Sequence, residues 1–300
     1  MLYQALRIRL VEERIIELYP TDKIQSPVHL SIGQETVAVG VCRSLTPRDL
    51  LFCSYRSHAF YLAKGGDLGE MFAELYGKVT GCCRGKGGSM HLAAPDVGLM
   101  GASAVVASVI PHAVGAALAA KRLGKDHLNV AVFGDGATEE GVYHESLNFA
   151  ALHALPVIFV CENNGLAVHA RQSARQAYRI TSLAKTYGIA AVTISDGHDP
   201  VKVHRAFSAA VRRARRSGRP QLLEIMTCRY REHVGPGEDI AAGYRTAAEI
   251  DRWKARDPLI LEAKRLAPDR ARILAEIDAA VEFAERSPWP DKTELLADVL

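Results

Sequence analysis

The stretch "NVAVFGDGATEEGVYHESLNFAALHALPVIFVCENNG", residues 129–165, decides the fold. Its two short apolar runs, 128–133 and 155–161, are rich in valine, isoleucine and phenylalanine, as strands covered on both faces are. Between them, from about residue 139 to 153, apolar side chains recur at helical spacing. A strand, a crossover helix and a second strand in about 30 residues make a parallel pair. The rhythm continues with a helix over 180–187, a strand over 190–194, a helix over 200–216 and a strand over 220–226. A small-residue helix over 111–122 precedes the series. The expected architecture is α/β: a mainly parallel sheet with helices on both faces.

Further from that stretch the pattern is less regular. Amphipathic spacing predicts helices over 4–18 and 34–45, and shorter ones over 59–64 and 68–76. "GCCRGKGGSMHLAAPDVGLMGAS", 81–103, reads as an extended loop, and loops of that length in compact domains tend to be functional. From about residue 247 the chain is charged and helical. The expected organisation is one domain over 1–300, with a helical segment at about 1–50 and a helical tail at about 247–300.

Composition narrows the function classes. Apolar residues make up 48% and charged residues 24% of the 300 positions, as in an ordinary globular chain. A net charge of +3 is too small to imply nucleic acid. The densest basic run, "RRARRSGR" over 212–219, sits at a helix C-terminus, where cations complement the dipole. The six cysteines form neither a C-x-x-C pair nor a zinc-like spacing, so reduced thiols in a cytoplasmic protein are expected. The first 20 residues interleave charges with apolar side chains, unlike a secretory signal. No apolar run reaches the roughly 20 residues of a membrane helix.

The chemistry lies in the two turns that end the strands. In parallel sheets, ligands bind beyond the carboxyl ends of strands. Gly134 and Gly136 let the backbone turn sharply, and the amides of Gly136 and Ala137 at the opening of the next helix suit an anionic phosphate. Asp135 repels phosphate unless a divalent cation lies between them. Asn164, one strand–helix–strand unit further on, reaches the same sheet edge and adds a neutral oxygen. Asp135, Asn164 and the carbonyl of Leu166, with two diphosphate oxygens and a water, complete the octahedron that Mg2+ requires. A dinucleotide fingerprint is disfavoured, because Thr138 and Glu139 stand where its third glycine belongs. "CRGKGGSMH", 83–91, likewise lacks the Walker spacing. Glu139, Glu140 and Glu145 read as charges compensating a helix dipole.

Gly-Asp-Gly followed by Asn-Asn after a strand–helix–strand is similar to the thiamine-diphosphate fingerprint. The chain resembles the alpha subunits of the E1 component of 2-oxo acid dehydrogenases and their acetoin dehydrogenase relatives. The likeness covers nearly the whole sequence, through "HLSIGQETVAVG" (29–40), "YRSHAFYLAKGG" (55–66), "ELYGKVTGCCRGKGGSMH" (74–91) and "YREHVGPGEDI" (230–240). By position it implies that Tyr55, Arg56, Gly136, Ala137 and His233 contact the diphosphate, and that Asp135, Asn164 and Leu166 bind Mg2+. It implies backbone contacts to the aminopyrimidine near Ala104 and Val106, with two catalytic histidines: His233 at the reacting end of the cofactor and His29 handling substrate or intermediate protons. His58 is a weaker candidate, packed behind Arg56. Val234 follows His233 where some mammalian relatives carry a phosphorylated serine.

The glutamate that activates the cofactor in this class lies on a second α/β module, and only one module is legible here. The resemblance therefore implies a separate beta subunit in an α2β2 assembly, with a lipoyl-bearing E2 acyltransferase as acceptor. The expected substrate is a 2-oxo acid or an acyloin. The "REHVGPGED" loop departs from the usual dehydrogenase form. It leaves two alternatives: a carboligase or acyl-transferring subunit without lipoyl transfer, and an inactive structural subunit.

Overall fold

A computed structural model describes residues 1–297. The strands are β1 (Leu50–Ser54), β2 (Leu99–Ser103), β3 (Asn129–Gly134), β4 (Val157–Asn163), β5 (Leu166–Ala167), β6 (Ala170–Arg171), β7 (Ala190–Ile194) and β8 (Gln221–Met226). Six of them form one parallel sheet in the order β2-β1-β3-β4-β8-β7, and β5 with β6 make a small antiparallel hairpin.

The apolar runs explain the layering. Every residue of β4 is buried, as a central strand covered on both faces requires. Along β3 and β4 the side chains alternate between two cores. Val130, Val132, Ile158 and Val160 join a cluster with helices α1 (Leu2–Leu18), α2 (Glu35–Cys42), α3 (His58–Lys64) and α4 (Leu68–Leu75). Ala131, Phe133, Val157 and Phe159 face a cluster built with α5 (Val109–Arg122), α6 (Gly141–Leu152) and α7 (Ile180–Thr186). The period of two along each strand thus divides one sheet between two helical layers. Helix α8 (Pro200–Ser217) is capped by Asp199, whose carboxylate accepts the Val201 and Lys202 N–H groups. It ends at a left-handed Gly218, with Arg215 and Arg216 in its last turn.

The C-terminal segment holds α9 (Ala247–Lys254), α10 (Pro258–Leu261) and α11 (Ala263–Arg286). Helix α11 packs on α1 and α4 and so closes one helical layer. Positions 298–300 of the expected tail lie outside the described residues. Among the described residues no helix is long and apolar enough to cross a membrane.

Two strands depart from the sequence expectation. β1 is only five residues long, and β2 ("LMGAS") lies inside the stretch read as one loop. Neither declares itself through local preference; pairing to a neighbour makes each a strand. The rest of that stretch is organised by the buried Glu74. Its carboxylate accepts the N–H groups of Cys83, Gly85, Gly87 and Gly88, which fixes the glycine-rich segment without regular structure.

From β1 the chain crosses to β2 on one side and returns as β3 on the other. The strand order reverses between β1 and β3, so a crevice opens beyond their carboxyl ends.

Candidate functional site

That crevice holds a cavity of about 230 Å³. Tyr55 and Arg56 enter it just after β1, residues 134–137 after β3, Asn164 and Leu166 after β4, and His233 from the loop that follows β8. Val105, Val106 and Ala107, beyond β2, form a further wall. Ala104 is half-buried and lies outside the lining.

After β3 the chain makes a 3-10 turn over Asp135–Glu139, and α6 starts only at Gly141. The amides of Gly136 and Ala137 therefore belong to this turn, not to the α-helix expected to start near 139. Glu139 stands ahead of α6 and pairs with Arg175, which corrects its reading as a dipole charge. Gly136 is required by packing: a Cβ there would lie 2.7 Å from the Cβ of Ala167 on the β5–β6 hairpin. Asp135 is only 1% exposed, and Arg175 Nη2 donates to its Oδ2 at 2.5 Å. Burial pushes the Asp135 carboxyl up, against the pull of Arg175.

The two asparagines after β4 have separate jobs. Asn163 is buried and structural: its Nδ2 donates to Glu224 Oε1 at 2.8 Å, and its Oδ1 accepts the Gly165 N–H at 2.9 Å. Asn164 lines the cavity, donates through Nδ2 to Gln34 Oε1 at 3.2 Å, and accepts the Leu166 N–H at 3.1 Å. Gly165, at φ +78°, supplies the left-handed step that brings Leu166 to the wall.

The opposite wall is basic. Arg56 is buried, and it donates to the carbonyls of Leu30 at 2.6 Å and His233 at 3.2 Å, tying both histidine segments to the end of β1. Burial and the nearby charge of Arg229 push the Arg56 guanidinium down to about 10. His29 is not part of the lining; it packs against the rings of Tyr55 at 4.4 Å and His233 at 5.1 Å. Burial, then the charge of Arg56, pushes both histidines down to about 3, so they are neutral near pH 7. His58 is fully buried between Glu12 Oε1 at 3.2 Å and Ser89 Oγ at 2.7 Å, behind this wall.

Four polar residues of the site went unnoticed in the sequence: Gln34, Glu162, Arg175 and Arg229. Gln34 and Glu162 both line the cavity, and burial pushes the Glu162 carboxyl up to about 7, against the pull of Gln34 and Arg56. Arg229 is buried in the lining and paired with Asp239 at 3.0 Å. "Glu-Asn-Asn" was a signal for Glu162; the other three carry no motif of their own. Glu74, Cys82 and Cys83 are the one cluster of metal-ligand type among the described residues. The Glu74 carboxylate already accepts four backbone N–H groups, so the cluster is structural.

A family model described as dehydrogenase E1 component matches residues 3–291. The chain belongs to that family. It is 39% identical to the alpha subunit of acetoin:2,6-dichlorophenolindophenol oxidoreductase of Bacillus subtilis, over 100% of this chain and 92% of the relative. The corresponding subunit of Cupriavidus necator is 38% identical, over 99% of this chain and 92% of the relative. The chloroplastic pyruvate dehydrogenase E1 component subunit alpha-3 of Arabidopsis thaliana is 37% identical, over 97% of this chain and 71% of the relative.

The E1 family uses thiamine diphosphate with a divalent metal. The site fits both groups. A carboxylate, an amide oxygen and a backbone carbonyl at one turn pair are the hard oxygen donors that Mg2+ takes. Nδ1 of His29 and Nδ1 of His233 are buried with no hydrogen-bond partner among the described residues, beside Arg56. A wall of cations and neutral histidines is suited to an incoming anion.

Proposed function

We infer that this chain is the alpha subunit of an E1-type oxidoreductase that uses thiamine diphosphate and Mg2+. With a separate beta subunit it decarboxylates a 2-oxo acid, or cleaves an acyloin, and hands the acyl unit to a lipoyl group on an E2 acyltransferase. One observation carries this reading: the Gly134-Asp135-Gly136 turn meets Asn164 and Leu166 in one cavity with Tyr55, Arg56 and His233.

Asp135, Asn164 and the Leu166 carbonyl hold the metal. The amides of Gly136 and Ala137, the phenol of Tyr55, the guanidinium of Arg56 and the imidazole of His233 hold the diphosphate. Val106, with Ala104 beside it, offers backbone to the aminopyrimidine. Bound here, the cofactor supplies a carbon nucleophile and an electron sink, the chemistry that cleavage next to a carbonyl needs. His233 lines the cavity with its Nδ1 unpartnered and holds the reacting end of the site, while His29, outside the lining, packs behind it against the Tyr55 ring. Arg56 keeps both histidines in register through the carbonyls of Leu30 and His233.

The arrangement of one chain as half a site supports the beta partner. The cavity is below the roughly 300 Å³ at which pockets for whole small ligands begin. Val105 is 67% exposed and Val106 45% exposed at its edge, apolar surface for another chain to cover. Free cysteines support a cytoplasmic location.

The test is co-expression with a beta subunit from the same source, followed by assay of acetoin, pyruvate and branched 2-oxo acids with 2,6-dichlorophenolindophenol and with lipoyl acceptors in the disulfide form. Turnover by the pair, and none by the alpha chain alone, is expected. Turnover by the lone chain, or a loaded pair inert on every substrate, overturns the proposal. Carboligation without transfer to lipoyl would move the function to the second enzyme class.

A further inference from the structure

Arg175 is the only cation paired with Asp135 among the described residues, and no motif foretold it. It sits on the excursion between β4 and α7 that also carries Asn164 and Leu166. Its side chain is 11% exposed. Nη2 donates to Asp135 Oδ2 at 2.5 Å, Nη1 pairs with Glu139, and Nε donates to the Ala170 carbonyl at 3.0 Å. Nη1 lies 3.9 Å from where a Cβ on Gly136 would stand, so the cation faces the glycine whose amide is assigned to the diphosphate. The neighbouring Gln176 clamps the same turn through Asp135 O at 3.0 Å and Thr138 Oγ1 at 3.0 Å.

We propose that Arg175 is the resident cation of the metal seat, and that a divalent ion enters by displacing it from Asp135. This rests on the reading of Asp135 as a metal ligand. A guanidinium and a divalent cation repel each other on one buried carboxylate. A bare metal ion must therefore break charge-assisted hydrogen bonds for three protein oxygens only. A metal ion arriving with diphosphate gains phosphate oxygens, and the released guanidinium gains a new anion while it stays beside Glu139. Arg175 thus penalises the metal alone more than the metal–diphosphate pair. It makes metal and diphosphate binding mutually dependent, and holds the excursion in place before loading.

The test uses the alpha–beta complex stripped of cofactor, with Mn2+ as the probe for an octahedral oxygen site. Mn2+ affinity is measured by calorimetry and electron paramagnetic resonance, with and without thiamine diphosphate, for wild type, Arg175→Gln, Arg175→Met, Arg175→Lys and Asp135→Asn. Arg175→Gln and Arg175→Met are expected to bind Mn2+ alone about tenfold more tightly, within the coupling range of linked sites. Arg175→Lys is expected to stay close to wild type. The gain in Mn2+ affinity on adding thiamine diphosphate should shrink in the two neutral variants. Thermal melts confirm that each complex is folded. Equal or weaker Mn2+ binding by both neutral variants, in folded complexes, overturns the proposal. Asp135→Asn separates the two ideas: if it binds Mn2+ like wild type, with and without thiamine diphosphate, the assignment of Asp135 fails, and this inference with it. If Asp135→Asn abolishes binding while the neutral Arg175 variants match wild type, only the inference fails.

Discussion

Asp135 shows how one side chain is fixed by several constraints at once. It is buried in a turn whose glycines allow close approach, and it faces an arginine where a metal ion is assigned. Replacing it with alanine removes the proposed metal ligand and leaves Arg175 with one anion, Glu139, in place of two. Affinity for thiamine diphosphate with Mg2+ should fall at least ~100-fold, or about 2.7 kcal/mol, read by calorimetry on the alpha–beta complex. His29 and His233 give a pH signature of the opposite wall. Their folded values near 3 lie below the ordinary histidine range, so between pH ~3 and ~6.5 the unfolded chain binds more protons. Their contribution is present above pH ~6.5 and is lost as pH falls toward 3. Chemical denaturation across that window should show stability declining with acid. The slope should be shallower in His29→Asn than in wild type, and an unchanged slope would remove His29 from this account.

At the scale of elements, the strands and helices from β3 to β8 were legible because each carries its own period, two along a strand or 3.6 around a helix. What stayed hidden was structure made by partners distant in sequence. β1 and β2 are strands because of each other and of β3. Glu139 was read from the helix it precedes, whereas it answers Arg175, which lies 36 positions later. The strand-end residues that the fold gathers in the cavity, proposed to hold metal and diphosphate, were legible because that chemistry demands particular residue types at strand ends. Gln34, Arg175 and Arg229 were not, since their types are common and only the fold brings Gln34 and Arg229 to the cavity and Arg175 to Asp135. The glycine-rich segment after α4 is the clearest case of order imposed from outside. Glu74→Ala would strip acceptors from four N–H groups, so a loss of at least about 3 kcal/mol is expected in denaturant unfolding. Glu74→Gln, which keeps one acceptor oxygen, should lose less.

For the whole molecule, two helical layers cover the sheet, and the crevice is open where the β2 end meets solvent. There the chain leaves Val105 and Val106 exposed beside polar site residues. Apolar side chains at the mouth of a small cavity gain from being covered, and the family to which the chain belongs supplies a beta subunit to cover them. The two chains would then bury the cofactor between them, with its diphosphate end held here and its activating group supplied across the interface. Val105→Asp tests this at the level of assembly. The side chain is two-thirds exposed in the isolated chain, so its replacement should leave the melting temperature of the alpha chain within about 2 °C, as surface changes do. In the complex the same carboxylate would be desolvated without a partner, and alpha–beta affinity should fall at least about tenfold in sedimentation velocity. A variant that assembles with unchanged affinity would place the beta subunit on another face, and the half-site at this crevice would need a different cover.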